Sequence, residues 1–120
     1  MRLVYIAGPY RAPTEYGVYR NIQEAERVAL EVWKAGYAAI CPHKNTAFFG
    51  GACPDSVWLE GDLEILRRCD AVLMLDGWID SNGAVAEYRE ASRIGKPVFT
   101  GIGQLIERFP PTAESPKPSA

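Results

Sequence analysis

Short apolar runs alternate along the chain with stretches whose apolar residues recur every three or four positions. Leu3–Ala7 (LVYIA) shows no in–out alternation, the pattern of a strand covered on both faces. Between Asn21 and Lys34, Ile22, Ala25, Ala29, Val32 and Trp33 form one helical stripe, and Gly36 stands where such a helix would end. Tyr37–Cys41 (YAAIC) reads as a second strand stopped by Pro42, and His43–Pro54, with its Gly50-Gly51 pair, as a loop. Asp55 or Ser56 is the expected cap of a helix running through Arg68, with Leu59, Leu63 and Leu66 on one face. Ala71–Leu75 (AVLML) is a third strand and Asp76–Asn82 a polar loop. Gly83–Ile94 is a third helix closed by Gly95, Pro97–Thr100 a fourth strand, and Leu105–Phe109 part of a short last helix.

Strand and helix alternating in this way predict an α/β domain. Its expected form is a small doubly wound parallel sheet of flavodoxin-like or Rossmann-like type, helices on both faces and strand order 2-1-3-4. One domain is expected over residues 1–109, and 110–120 (PPTAESPKPSA), with four prolines and almost nothing apolar, reads as a disordered tail.

Charge and composition narrow the partners. Thirteen Lys and Arg against fifteen Asp and Glu give a formal charge of −2, and no basic run exists, which argues against a nucleic-acid partner. No apolar stretch approaches the ~18–20 residues of a membrane span. The opening MRLVYIAGPY lacks the design of a signal peptide, so a cytoplasmic location and no membrane partner are expected. Cys41, Cys53 and Cys69 are odd in number and form no CxxC pair, which points away from a zinc site or a disulfide framework.

The predicted strand order puts a topological switch between the first and third strands, where a crevice opens beyond their carboxyl ends. Two loops border it. Gly8-Pro9-Tyr10-Arg11 supplies a glycine that allows close approach to the backbone and a guanidinium suited to phosphate. Ser81, Asn82 and Gly83 stand at the mouth of a helix whose free N–H groups favour an anion, although Ser81 by itself reads first as a cap. Trp78, in the same loop, suits base stacking and core packing equally.

Two acids lie on apolar stripes. Glu87 shares its stripe with Ala84, Ala91 and Ile94, and Asp62 with Trp58, Ile65 and Cys69. A carboxylate on an inward face is costly unless it is paired or has work to do. Two such acids on different helices suit a nucleophile and an acid/base partner in glycosidic bond cleavage, while Glu87 at a stripe edge can also turn to solvent. Tyr5, inside a buried strand, needs a partner for its hydroxyl. Asp70 reads as a structural residue of the helix–strand turn. His43, the only histidine, follows Pro42 in a loop and reads first as a surface or hydrogen-bonding residue.

VYIAGPYR at 4–11, DLEILRRCDAVLMLDGW at 62–78 and SNGAVAEYREASRIGKPV at 81–98 resemble, in that order, the motifs of the nucleoside 2-deoxyribosyltransferase superfamily. The resemblance covers residues 3–100. It is nearest to short bacterial and phage members of unassigned function that share the CPH, DGW and S-x-G-A patterns. It implies that Glu87 is the nucleophile on C1′, that Asp62 assists proton transfer at the base, and that Tyr5 lies close to both sugar and nucleophile. Ser81 stands where the nucleoside transferases tend to carry Asp; it is similar to the serine of the branch that hydrolyses 2′-deoxynucleoside 5′-monophosphates. Arg11 likewise matches that branch's phosphate-contacting arginine, whereas Pro9 replaces a phosphate-binding serine. The substrate-binding set expected is Gly8, Arg11, His43, Trp78, Ser81, Asn82 and Gly83. The function implied is cleavage of the N-glycosidic bond of a nucleotide or nucleoside, by hydrolysis or by transfer to another base, with no metal or organic cofactor. A homodimer or higher homo-oligomer is expected too, because Trp33, Phe48, Phe49 and Trp58 need cover and neighbouring subunits often complete the family's site.

Other readings stay open. A member that binds a nucleotide without catalysis would carry the same residues. A receiver-like signalling domain would use Asp76 as phospho-acceptor, but its magnesium-holding acids are replaced after the first strand by Ile6-Ala7-Gly8-Pro9. A dinucleotide-binding module lacks its GxGxxG, the first turn being GPYRAP.

Overall fold

In the structure, a computed structural model that describes residues 1–111, four parallel strands form one sheet in the order β2-β1-β3-β4. The strands are β1 (Leu3–Ala7), β2 (Ala38–Ile40), β3 (Ala71–Met74) and β4 (Val98–Phe99). The helices are α1 (Glu15–Lys34), α2 (Pro42–Asn45), α3 (Asp55–Arg67), α4 (Asn82–Arg93) and α5 (Ile102–Arg108). The predicted α/β class and strand order are those observed. β1 pairs Val4–Ala7 with Ala71–Met74 of β3 and Leu3–Tyr5 with Ala38–Ile40 of β2, so the central strands are β1 and β3.

Alternate side chains of the central strands feed two cores. Val4, Ile6, Ala71 and Leu73 pack with Ala25, Ala29 and Val32 of α1 and with Leu105 of α5. Tyr5, Ala7, Val72 and Met74 face the other way, onto Leu66 of α3 and Ala84 and Ala91 of α4. Both faces are apolar because both are covered, which explains the uninterrupted hydrophobic runs. Asp70 has the structural role expected, its Oδ2 accepting from the Leu3 N–H at 2.7 Å.

Several boundaries differ from those expected. α1 begins six residues earlier than Asn21, because the Thr14 hydroxyl caps it by accepting from Gly17 N–H at 3.0 Å. The segment after β2 is not all loop. Pro42 takes the first helical position, where its missing N–H costs nothing, and starts the single turn of α2 that carries His43. Neither Asp55 nor Ser56 caps α3: Pro54 occupies that position without a side-chain hydrogen bond. β2 and β4 are shorter than expected, while α5 starts at Ile102 rather than Leu105. The Pro-rich tail expected over 110–120 lies, from residue 112 onward, outside the described residues.

Candidate active site

β1 and β3 run side by side to the same end of the sheet, where the Leu75 N–H donates to the Ala7 carbonyl at 2.7 Å. The two loops that follow are therefore neighbours. A Cβ at Gly77, whose φ is +81°, would lie 3.5 Å from Pro9. A Cβ at Gly8 would lie 2.6–2.9 Å from the Leu75 side chain. Glycine at position 8 is thus required by the chain's own packing, a reason for it that the sequence did not show.

Under these loops lies a group of three ionisable side chains from three elements. The Tyr5 hydroxyl of β1 donates to Oε2 of Glu87 on α4. Tyr5 is fully buried and Glu87 is 8% exposed, so the carboxyl does not turn to solvent. Burial raises the Tyr5 hydroxyl far above its usual range, with the negative charges of Glu87 and Asp62 adding to it. Tyr5 therefore stays protonated and acts as a donor. Burial also pushes Glu87 up to about 8, against the Tyr5 hydrogen bond, which favours the ionised form, and with help from the charge of Asp62. Asp62, half-buried on α3, is raised by burial to about 6. The charge of Asp62 reaches both partners of the Tyr5–Glu87 pair.

The remaining candidates frame this group unevenly. Ser81 caps α4, its Oγ accepting from Ala84 N–H at 3.2 Å, so the structural use expected of it is realised. Asn82 and Gly83 open α4 on the exposed side, and no atom would crowd a Cβ at Gly83. Trp78 is half-buried against the second core and stacks on Tyr88 with ring centroids 4.7 Å apart. Arg11 is exposed and already engaged in an ion pair with Asp55, the first residue of α3.

His43 is not a surface residue. It is 6% exposed, and its Nε2 lies 2.7 Å from the Pro9 carbonyl, which only accepts, so the Nε2 carries the hydrogen. Its ring meets Tyr10 edge-on at 5.7 Å, and burial holds its pKa below the usual imidazole value. A neutral imidazole thus clamps the first loop from below. Asn21 clamps the same loop from α1, donating to the Tyr10 carbonyl at 3.0 Å and to that of Arg11 at 3.4 Å. Asn21 was missed at the sequence level. Its only signal was an amide near the expected helix start, where capping is the ordinary explanation.

Trp58, one turn before Asp62, has an indole N–H that is buried without an acceptor among the described residues. Two concavities lie elsewhere. One, at the opposite end of the sheet, is lined by Arg2, Tyr37, Asp70 and Phe109; the other, between α3 and α4, by Leu63, Arg67 and Arg93. In that second region Glu90 is bonded by Arg67 at 2.7 Å and Arg93 at 2.5 Å and is held down at about 2, the opposite of Glu87 three residues before it.

No curated protein matches the chain. Among solved structures it is similar to a 2-deoxyribosyltransferase from the psychrotolerant bacterium Bacillus psychrosaccharolyticus, with a TM-score of 0.56 and 23% identity over 80% of this chain and 69% of the other. At that identity the likeness is one of fold alone, and the fold is the α/β one expected. Family membership comes from a match over residues 2–100, nearly the whole described chain: the protein belongs to the family described as "Domain of unknown function (DUF4406)".

Proposed function

We propose that the chain cleaves the N-glycosidic bond of a 2′-deoxynucleoside 5′-monophosphate or nucleoside, with Glu87 as nucleophile. The observation that carries this reading is the buried Glu87 carboxyl, bonded by Tyr5 and within the field of Asp62, on a fold shared with a deoxyribosyltransferase. An ionised Glu87 oxygen bonds to C1′ as the C1′–N bond breaks, and the leaving electron pair goes to the base nitrogen, which takes its proton from Asp62. Positive charge growing on the sugar ring offsets the desolvation that otherwise keeps Glu87 neutral, while the Tyr5 hydrogen bond orients the carboxylate. Water or the N–H of a second base, in either case giving its proton to Asp62, then attacks C1′ and frees Glu87. Arg11, Ser81 and the start of α4 would receive the 5′-phosphate.

A panel of the 2′-deoxynucleosides and their 5′-monophosphates, with free base followed by chromatography, tests this. Base released without an acceptor identifies hydrolysis; exchange only with an added base identifies transfer. Binding without release or exchange would make the chain a nucleotide-binding member and remove Glu87 from catalysis.

Self-association belongs to the same proposal. Trp33, Phe48 and Phe49 are 53%, 79% and 50% exposed, and a second copy would cover part of that surface. Trp58 needs less cover than expected, being half-buried with its ring 5.9 Å from Phe49. Sedimentation of an active species at twice the monomer mass or more is the expected result; an active 13.2 kDa species would refute it.

A further inference from the structure

Resting on the phosphate reading above, we infer that Asp55 is a specificity-determining residue: it holds Arg11 in the free chain and yields it to the phosphate of a nucleoside monophosphate. Arg11 Nη2 and Asp55 Oδ1 form an ion pair that joins the loop after β1 to the first residue of α3. Asp55 is not needed there as a cap, since Pro54 holds that position and no side chain caps α3. Its carboxylate is therefore free of any other hydrogen bond among the described residues.

The pair is built to exchange. Both side chains are about two-thirds exposed, 69% and 66%, so water and anions reach them. The backbone behind Arg11 stays put, because Asn21 donates to the Tyr10 and Arg11 carbonyls and His43 to that of Pro9. Swinging Arg11 from Asp55 to a ligand thus needs only side-chain rotation. An exposed ion pair contributes little net stability. A doubly charged phosphate can accept two parallel hydrogen bonds from the same guanidinium and wins the exchange. After release, Asp55 sits in the first turn of α3, where the helix dipole favours its charge.

An uncharged 5′-hydroxyl cannot displace Asp55. With a nucleoside bound, Arg11 stays neutralised; with a monophosphate bound, it turns inward. Asp55 therefore sets how strong an anion must be to claim Arg11, and lowers the affinity even of the ligand that succeeds.

The test is calorimetric binding of the 2′-deoxynucleoside 5′-monophosphates and the matching nucleosides at fixed ionic strength. The chain carries Glu87→Gln to stop turnover, alone and with Asp55→Asn, Arg11→Ala, or both. Asp55→Asn is expected to raise the monophosphate-to-nucleoside affinity ratio three- to tenfold, and to do nothing when Arg11 is already alanine. If Arg11→Ala collapses the ratio while Asp55→Asn leaves it within twofold, Asp55 is no competitor and only this inference falls. If Asp55→Asn acts equally without Arg11, the carboxylate repels the ligand directly and the exchange is refuted. If Arg11→Ala leaves the ratio unchanged, or neither ligand class binds, the phosphate reading itself is overturned.

Discussion

Tyr5 and Glu87, 82 positions apart in the chain, share one buried hydrogen bond that ties the central strand β1 to α4. The bond favours an ionised Glu87 that burial disfavours. Replacing the carboxyl by an amide should separate chemistry from stability. Glu87→Gln is expected to abolish base release. It should also remove a pH dependence of folding. With a folded pKa of about 8 and an unfolded one near ~4.3, Glu87 binds more protons in the native state. Its contribution to stability is full below the unfolded value and is lost as pH rises through the folded one. Denaturant unfolding at pH 5 and pH 9 should thus show the parent losing ~2–4 kcal/mol more than Glu87→Gln across that interval. Equal losses in both proteins would place the carboxyl in a far more polar setting.

Asp62 should show in the pH dependence of kcat/KM. The reaction needs Glu87 ionised and Asp62 protonated, yet Asp62 titrates at about 6 and Glu87 at about 8. Only a minor protonation state is productive, and the profile is a bell with its flanks near those two values. Asp62→Asn should lower the rate at neutral pH by roughly 10²–10⁴ and erase the alkaline fall. What is left is a single rise with Glu87, at a lower midpoint because the charge of Asp62 no longer raises it. An alkaline limb that persists in Asp62→Asn would assign the proton to another group.

His43 is expected to act through the loop it clamps. His43→Ala strips the Pro9 carbonyl of its donor and should cost ~1–3 kcal/mol in stability, with a higher KM and a nearly constant kcat. His43→Gln, whose amide can present an N–H near the same place, should recover part of both. A fall in kcat with KM and stability unchanged would mean that the imidazole meets the reacting atoms.

Two glycines near the site should respond in opposite ways. Gly8→Ala forces a methyl to within 2.6–2.9 Å of Leu75 and should destabilise by ~1–3 kcal/mol. Gly83→Ala enters open space within the first turn of α4 and should be neutral or stabilising by up to ~1 kcal/mol. Similar effects at both positions in thermal or denaturant unfolding would contradict the packing described.

The sheet was legible because its central strands are covered on both faces, which leaves LVYIA and AVLM without polar positions. The start of α1 was not, because Glu15–Arg20 adds only Val18 to the apolar stripe and Gly17 discourages a helix; the Thr14 cap marks it. Pro42 read as a stop to β2 and is equally a start to α2, an ambiguity that one residue cannot resolve. At the candidate site, the stripe pattern placed Glu87 and Asp62 on apolar faces but left Glu87 free to turn to solvent, and the buried strand showed that the Tyr5 hydroxyl needs a partner. That these three needs meet one another depends on how α3 and α4 pack against the sheet, which no local pattern encodes. Asp55 illustrates the limit best: an acid just after a proline suggested a cap, and its real partner, Arg11, lies beyond one strand and two helices.

The far end of the sheet is closed by an aromatic clasp. The Tyr37 hydroxyl donates to the Phe109 carbonyl, and the Phe109 ring packs edge-on to Phe99 at 6.1 Å with the Arg2 guanidinium 4.2 Å from its centroid. Phe109 and Leu105 lie past residue 100, where the family match stops, yet both belong to the core beneath β4. A chain trimmed to the matched segment would uncover Phe99 and leave the Tyr37 hydroxyl without its acceptor. Met1 and Pro111 line the same concavity at this end, across the sheet from Glu87. Attachment to a bead, a sensor surface or a fusion partner through either of these positions therefore leaves the opposite end of the sheet, where the loops after β1 and β3 meet, unobstructed.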